Sequence, residues 1–194
     1  MDLRALLPVI LLTLALSACG GAAPTPTAPS PPRPPAPSAS FALTSTAFEP
    51  EGPIPERYGH FRDDVSPPLA WESPPQGTRS LVLFLEDWDA PGGLFVHWVL
   101  YDIPPTASGL PEGVPRDPEL SDGSRQGKNS AGSLGYIGPY PPPGETHRYT
   151  FVLYALDTRL DLPAGVTREQ VLKAMEGHVL AQATLVGTYR SVQP

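Results

Sequence analysis

Residues Gly127 to Asp157 read GKNSAGSLGYIGPYPPPGETHRYTFVLYALD, and the two halves of this stretch obey different rules. The first half carries Gly135, Gly138, Pro139, Pro141, Pro142, Pro143 and Gly144, too dense a punctuation for any helix, so it reads as an irregular loop. From His147 the residues turn β-branched and aromatic, HRYTFVLYAL, bounded by turn formers on both sides, which predicts a strand over His147–Leu156. Successive strand side chains alternate faces, so His147, Tyr149, Phe151 and Leu153 share one. Polar residues at the mouth with apolar ones deeper in is the layout of a small polar pocket resting on a core. Taken by itself, the same strand is equally compatible with a surface histidine and a core tyrosine.

Outward from this strand, further short strands are predicted at Phe41–Ser45, Leu69–Trp71, Ser80–Glu86, Phe95–Ile103 and Val179–Tyr189. They are separated by Pro- and Gly-rich loops rather than by helices, which favours an all-β sandwich over a βαβ arrangement. One helix is expected: Thr167 caps it with Gln170 at the capping-box position, Val171, Leu172 and Met175 form its buried stripe, and Gly177 ends it. Pro104–Lys128 reads as a long loop, either a cover for a pocket or plain surface. There are no evident internal repeats.

Two further positions draw attention. Asp87 and Asp89 follow the most apolar strand, Leu81–Leu85, and suit a solvated turn or a site. His97 lies in Phe95-Val-His-Trp-Val-Leu-Tyr-Asp-Ile103, where alternation groups it with Phe95, Val99 and Tyr101 and sends Trp98 to the other face. A histidine among apolar neighbours suits a hydrogen-bonded core residue as well as a ligand. His60 in its loop and His178 after Gly177 carry no such pattern.

Four segments, taken in order and spacing, give these residues a context. They are Phe48-Glu-Pro-Glu-Gly-Pro-Ile-Pro55, Val65-Ser-Pro-Pro-Leu-Ala-Trp71, Glu86-Asp-Trp-Asp-Ala-Pro91 with Phe95-Val-His-Trp98, and Gly135-Tyr-Ile-Gly-Pro-Tyr-Pro-Pro-Pro-Gly-Glu-Thr-His-Arg-Tyr149. From about Phe41 to Arg190 the chain resembles the phosphatidylethanolamine-binding protein family, in its bacterial, Raf-kinase-inhibitor-like branch. The resemblance implies two antiparallel sheets packed as a Greek-key sandwich with a few short helices. It also implies a pocket for phosphate-like anions and phospholipid headgroups, built here from Asp87, Asp89, His97, Gly138, Pro139, Tyr140, His147 and Tyr149. Trp88 stands where the family usually has a proline, which frees a backbone N–H and adds a large ring at the expected rim.

Two carboxylates, two histidines and a tyrosine suit three tasks. In the first, imidazolium groups favoured by neighbouring aspartates donate charge-assisted hydrogen bonds to an anion, aided by a backbone donor at Gly138 or Tyr140 and the Tyr149 hydroxyl. The carboxylates would meet the ammonium of an ethanolamine headgroup. In the second, Asp and His hold a metal that activates water, although no compact motif such as His-Glu-x-x-His occurs. In the third, the domain binds and inhibits another protein, as family members inhibit kinases or proteases. The expectation is a binding protein with no catalytic residue, cofactor or metal. A serine-nucleophile enzyme is set aside because no Gly-x-Ser-x-Gly elbow occurs.

The N-terminus bears on location. Residues 1–19 carry Arg4, an apolar run from Ala5 to Leu16 and the ending Leu16-Ser17-Ala18-Cys19, which reads as a secretory signal with a lipobox. Cys19 is the expected lipidation site and membrane anchor; as the single cysteine of the 194 residues, it excludes an internal disulfide. More than one acyl chain on the new N-terminus gives stable anchoring. Residues 20–40 hold no large apolar side chain and read as a disordered, Pro-rich tether, about 60 Å long when extended at ~3.1 Å per residue. The folded domain is then 41–194, about 150 residues, a size at which one domain buries a substantial core. The expected location is a bacterial cell envelope, outside the cytoplasm. The net charge of −7 and the absence of a basic run exclude nucleic acid as an expected partner.

Overall fold

In the computed structural model, residues 41–72 and 74–191 are described; the signal segment, Cys19 and the tether lie outside the described residues. The chain forms β1 (Leu43–Thr44), β2 (Leu69–Trp71), β3 (Ser80–Asp87), β4 (Phe95–Ile103) and β5 (Gly109–Leu110). There follow β6 (Arg125–Gln126), β7 (Thr146–Leu156), helix α1 (Arg168–Met175) and β8 (Val179–Arg190). β1, β2 and β5 make a small antiparallel sheet, and the large antiparallel sheet runs β6-β4-β3-β7-β8. The chain leaves the large sheet at its β6 edge and returns beyond β3 as β7, the long return connection of a Greek key.

The unbroken apolar run of β3 is explained by its central position. Leu81, Leu83 and Leu85 enter the core between the sheets, together with Trp71, Trp98, Leu100, Phe151, Leu153 and Leu185. Val82 and Phe84 enter a second cluster on the outer face, with Val99, Tyr101, Val171 and Met175. A strand covered on both sides has no solvent face to mark with polar residues. The covering helix is held by the capping box foreseen in the sequence: Thr167 accepts from the Gln170 N–H while the Gln170 side chain accepts from the Thr167 N–H. Leu172, expected in the buried stripe, is only half-buried, and Gly177 takes the left-handed conformation (φ 79°) just past the end.

Three expectations change. Pro104–Lys128 is not a bare loop; it supplies β5 to the small sheet and β6 to the edge of the large one. The first strand shrinks to two residues, with Phe41 buried but outside it. Strict alternation along β4 also fails. Leu85 pairs with Trp98 but Glu86 pairs with Val96, so β4 carries an extra residue, His97, at a β-bulge. Trp98 therefore points into the inter-sheet core, and Val99 and Tyr101 face the opposite side from Phe95 and His97. Bulges re-aim single side chains, and this one directs His97 to the end of the sheet where β3 and β7 meet.

Candidate functional site

The large sheet's register assembles the site at one end. Asp87, the last residue of β3, lies between Phe95 of β4 and Tyr149 of β7. His147 lies two residues before Tyr149 on the same face, as expected for a strand. Above them a cavity of about 340 Å³ is walled by the turn Ala90–Leu94 on one side and by Tyr140, Pro141 and Pro142 on the other. Asp87, His97, His147 and Tyr149 line it. Thus five of the eight expected site residues come together, counting Tyr140.

The two histidines have opposite electrostatic characters. His97 is buried, and burial pushes its pKa down to about 4, against the weaker upward pulls of the Ile137 carbonyl and the Asp87 carboxylate. Its Nδ1 lies 2.9 Å from the Ile137 carbonyl, which can only accept, so Nδ1 carries the proton and Nε2 a lone pair. The sequence expectation of an imidazolium at this position is corrected: the apolar surroundings win over the distant aspartate. Its ring packs against Phe95 (4.7 Å), Tyr149 (5.2 Å) and Tyr140 (5.7 Å).

His147 is as buried but better partnered. Burial opposes its charge, yet hydrogen bonds to Asp87 and Glu145 and the fields of Asp87 and Asp89 raise its pKa above the ordinary value. Nδ1 stands 2.8 Å from Asp87 Oδ2 and Nε2 stands 3.2 Å from Glu145 Oε2. Of the two histidines it is the one whose surroundings favour the charged form.

Tyr149 contributes a buried hydroxyl with no well-aligned hydrogen-bond partner among the described residues, although the Asp87 carboxylate and the Tyr140 backbone lie beside it. Burial, followed by the Asp87 carboxylate, pushes its pKa far up, so the group is a neutral donor. Burying a hydroxyl without a partner is costly, and one facing a cavity is a place for a ligand atom. Tyr140 is half-buried, stacked edge-on to Phe95 at 5.4 Å, with its pKa raised by burial and then by Asp87.

Three expected residues stand elsewhere. β3 ends at Asp87, so Asp89 belongs to the turn and faces away. Its carboxylate accepts from the Arg148 backbone N–H and guanidinium, which holds its pKa below the ordinary value, in a separate cleft with Glu51 and Trp88. Gly138 cannot offer its N–H to the cavity because that group donates to Asp64 Oδ1 at 2.7 Å. Its lack of a side chain serves packing: a Cβ there would sit 2.3 Å from the Tyr58 carbonyl oxygen. Pro139 uses its carbonyl on the His60 N–H, so both form the wall behind Tyr140. Trp88 does not reach the pocket rim; it is exposed, with its indole N–H donating to Glu86. No residue of 104–128 lines the cavity.

Glu145 went unnoticed in the sequence. Its position two residues before His147 was the available signal, because alternation extends one residue beyond the strand end. His60 packs behind Tyr140 at 5.2 Å, and His178 pairs with Asp157 at the opposite end of β7. Among the described residues, no three His, Cys, Asp or Glu side chains are grouped so as to hold a metal ion.

Comparison with known proteins bears on the whole of this architecture. The profile of the family described as phosphatidylethanolamine-binding protein matches residues 44–190. A UPF0098 protein of Methanothermobacter thermautotrophicus is 52% identical over 148 residues, 76% of this chain and 97% of the relative. One of Chlamydia trachomatis is 44% identical over 152 residues, 76% and 97% of the two chains. Among solved structures, a phosphatidylethanolamine-binding protein homologue of Chlamydia trachomatis shares 43% identity at a TM-score of 0.72, covering 79% of this chain and 99% of that one. YbcL of E. coli, described as a new member of the mammalian PEBP family, shares 29% identity at a TM-score of 0.73, covering 78% and 99%. With the matched segment spanning both sheets, the helix and the cavity, the chain belongs to the phosphatidylethanolamine-binding protein family.

Proposed function

We propose that this chain is an exported, lipid-anchored binding protein whose pocket takes a phosphate-like anion, either free or as a phospholipid headgroup. The observation that carries the reading is the Tyr149 hydroxyl, buried, without a well-aligned partner among the described residues and lining the cavity beside His147, whose pKa is raised. A phosphate oxygen satisfies that donor and gains a charge-assisted hydrogen bond. The apolar walls from Leu94, Phe95, Pro141 and Pro142 lower the local polarity and so strengthen the contact. The family name favours a phospholipid headgroup, and the lipobox-like Leu16–Cys19 would hold the pocket near a membrane.

Titration of the purified protein with inorganic phosphate and with phosphoethanolamine tests the pocket. Tyr149→Phe removes one hydrogen bond to a charged ligand, and affinity should fall roughly ten- to a hundredfold. Unchanged affinity in a folded Tyr149→Phe protein would place any anion site elsewhere. For the anchor, Cys19→Ser should release the protein from membranes; a variant that still sediments with them after a salt wash contradicts the tether.

A further inference from the structure

Both ring nitrogens of His147 are already engaged within the chain. Asp87, itself buried, takes Nδ1 at 2.8 Å, and Glu145 takes Nε2 at 3.2 Å. A ligand anion therefore gains an N–H from this imidazolium only by displacing a carboxylate. The two carboxylates are not equal obstacles. The Asp87 side chain is 4% exposed and that of Glu145 is 58% exposed, so Glu145 holds the longer, wetter and weaker contact. It is also free to leave: it sits beside Gly144 (φ 82°) at the end of a turn closed by its own N–H on the Pro142 carbonyl, and that bond does not involve the side chain.

We propose that Glu145 is a specificity-determining residue, a tethered carboxylate that competes with anionic ligands for His147 and so discriminates against bare phosphate. The inference rests on the anion-pocket reading above. A ligand bringing only negative charge must displace Glu145 and then face it and Asp87 unneutralised. A ligand that also carries an ammonium, such as phosphoethanolamine, offers the displaced carboxylate a new partner and loses less. Glu145 thus sets a threshold that favours zwitterionic headgroups over free phosphate.

The test is a titration of wild type, Glu145→Ala and Tyr149→Phe with inorganic phosphate and with phosphoethanolamine at about pH 6, where His147 is charged. Glu145 is exposed, so its truncation leaves the core intact. Glu145→Ala should tighten phosphate about two- to fivefold, the range of an exposed ion pair. Phosphoethanolamine should gain less, so the ratio of the two affinities shifts toward phosphate. The charged groups that act on His147 are Asp87 at the end of β3 and Glu145 from its own segment, which touch it, and Asp89 in the neighbouring turn, which acts only through its field. Losing one of them should lower the His147 pKa in ¹⁵N NMR, so the gain shrinks as pH rises. Weakened or unchanged phosphate binding in Glu145→Ala, or an equal gain for both ligands, overturns the proposal. The Tyr149→Phe arm separates the failures. If phosphate binds the wild type and this variant equally, the pocket reading itself is wrong. If only the Glu145 arm fails, the pocket stands without its tethered competitor.

Discussion

Replacing Asp87 with Asn should cost stability in a manner that depends on pH, because Asp87 is what keeps His147 charged inside the protein. The two side chains are each 4% exposed and meet at 2.8 Å, so the contact is a buried charge-assisted hydrogen bond, worth about 1.5–3 kcal/mol. Asn keeps the shape, and its single carbonyl oxygen can still accept from the His147 Nδ1–H, but its NH2 group then replaces the oxygen that accepts from the Asp89 N–H at 2.9 Å. The loss is therefore that of the charge and of the Asp89 N–H contact, and only the first depends on the protonation of His147. Since the His147 pKa is raised on folding, its stabilising contribution is fully present below the unfolded value of about 6.5 and is lost as pH rises through the folded value. His97 works in the other direction, with a folded value of about 4 that destabilises the fold as pH falls below the unfolded one. Comparison at about pH 6.5 and pH 9 keeps that second effect small. Urea denaturation of wild type and Asp87→Asn, analysed at a common slope, should give a difference near the upper range at the lower pH. At the higher pH it should fall toward the ~0.5–1.5 kcal/mol of an ordinary hydrogen bond. An equal difference at the two pH values, or none at the lower one, would refute the assignment of His147 as the buried cation.

Other outcomes follow from the same geometry. Gly138→Ala should destabilise the fold by about 1–3 kcal/mol as an overpacking change, since the new methyl meets backbone atoms of Tyr58, Gly59 and His60, and urea midpoints will show it. The His97 ring should remain neutral with its proton on Nδ1 in ¹⁵N NMR down to about pH 4, whereas His147 titrates above its ordinary value; a His97 that charges near pH 6.5 contradicts its burial.

Much of this fold can be read without coordinates, for physical reasons. β7 alternates because one face packs on the core, β3 is continuously apolar because both faces do, and α1 carries its own capping box. These are local periodicities. The small sheet escapes such reading because its strands are two or three residues long, shorter than a period can reveal. β6 is missed for the same reason. In the site, Asp87, Tyr140, His147 and Tyr149 are legible from strand position and resemblance together. The roles of Asp89 and Gly138 are not, because nothing local tells a carboxylate ending a strand from one starting a turn. Nor does a glycine that admits a neighbouring backbone look different in sequence from one that offers an N–H to a ligand.

The two histidines show how far composition falls short of chemistry. In the sequence they look alike, each two residues from an aromatic on its strand. The bulge buries His97 among Phe95, Tyr140 and Tyr149 with a carbonyl on Nδ1, so its remaining nitrogen is an acceptor. The strand mouth gives His147 two carboxylates, so it remains a donor on both sides. With the Tyr149 hydroxyl the site offers two donors, and with His97 and Asp87 two acceptors. A bare anion uses only the first pair and is repelled by Asp87. A molecule with an anionic group and an ammonium of its own uses both. On the proposed anion-pocket reading, the charge difference between the two histidines would make the pocket suit a dipolar ligand better than an anion alone.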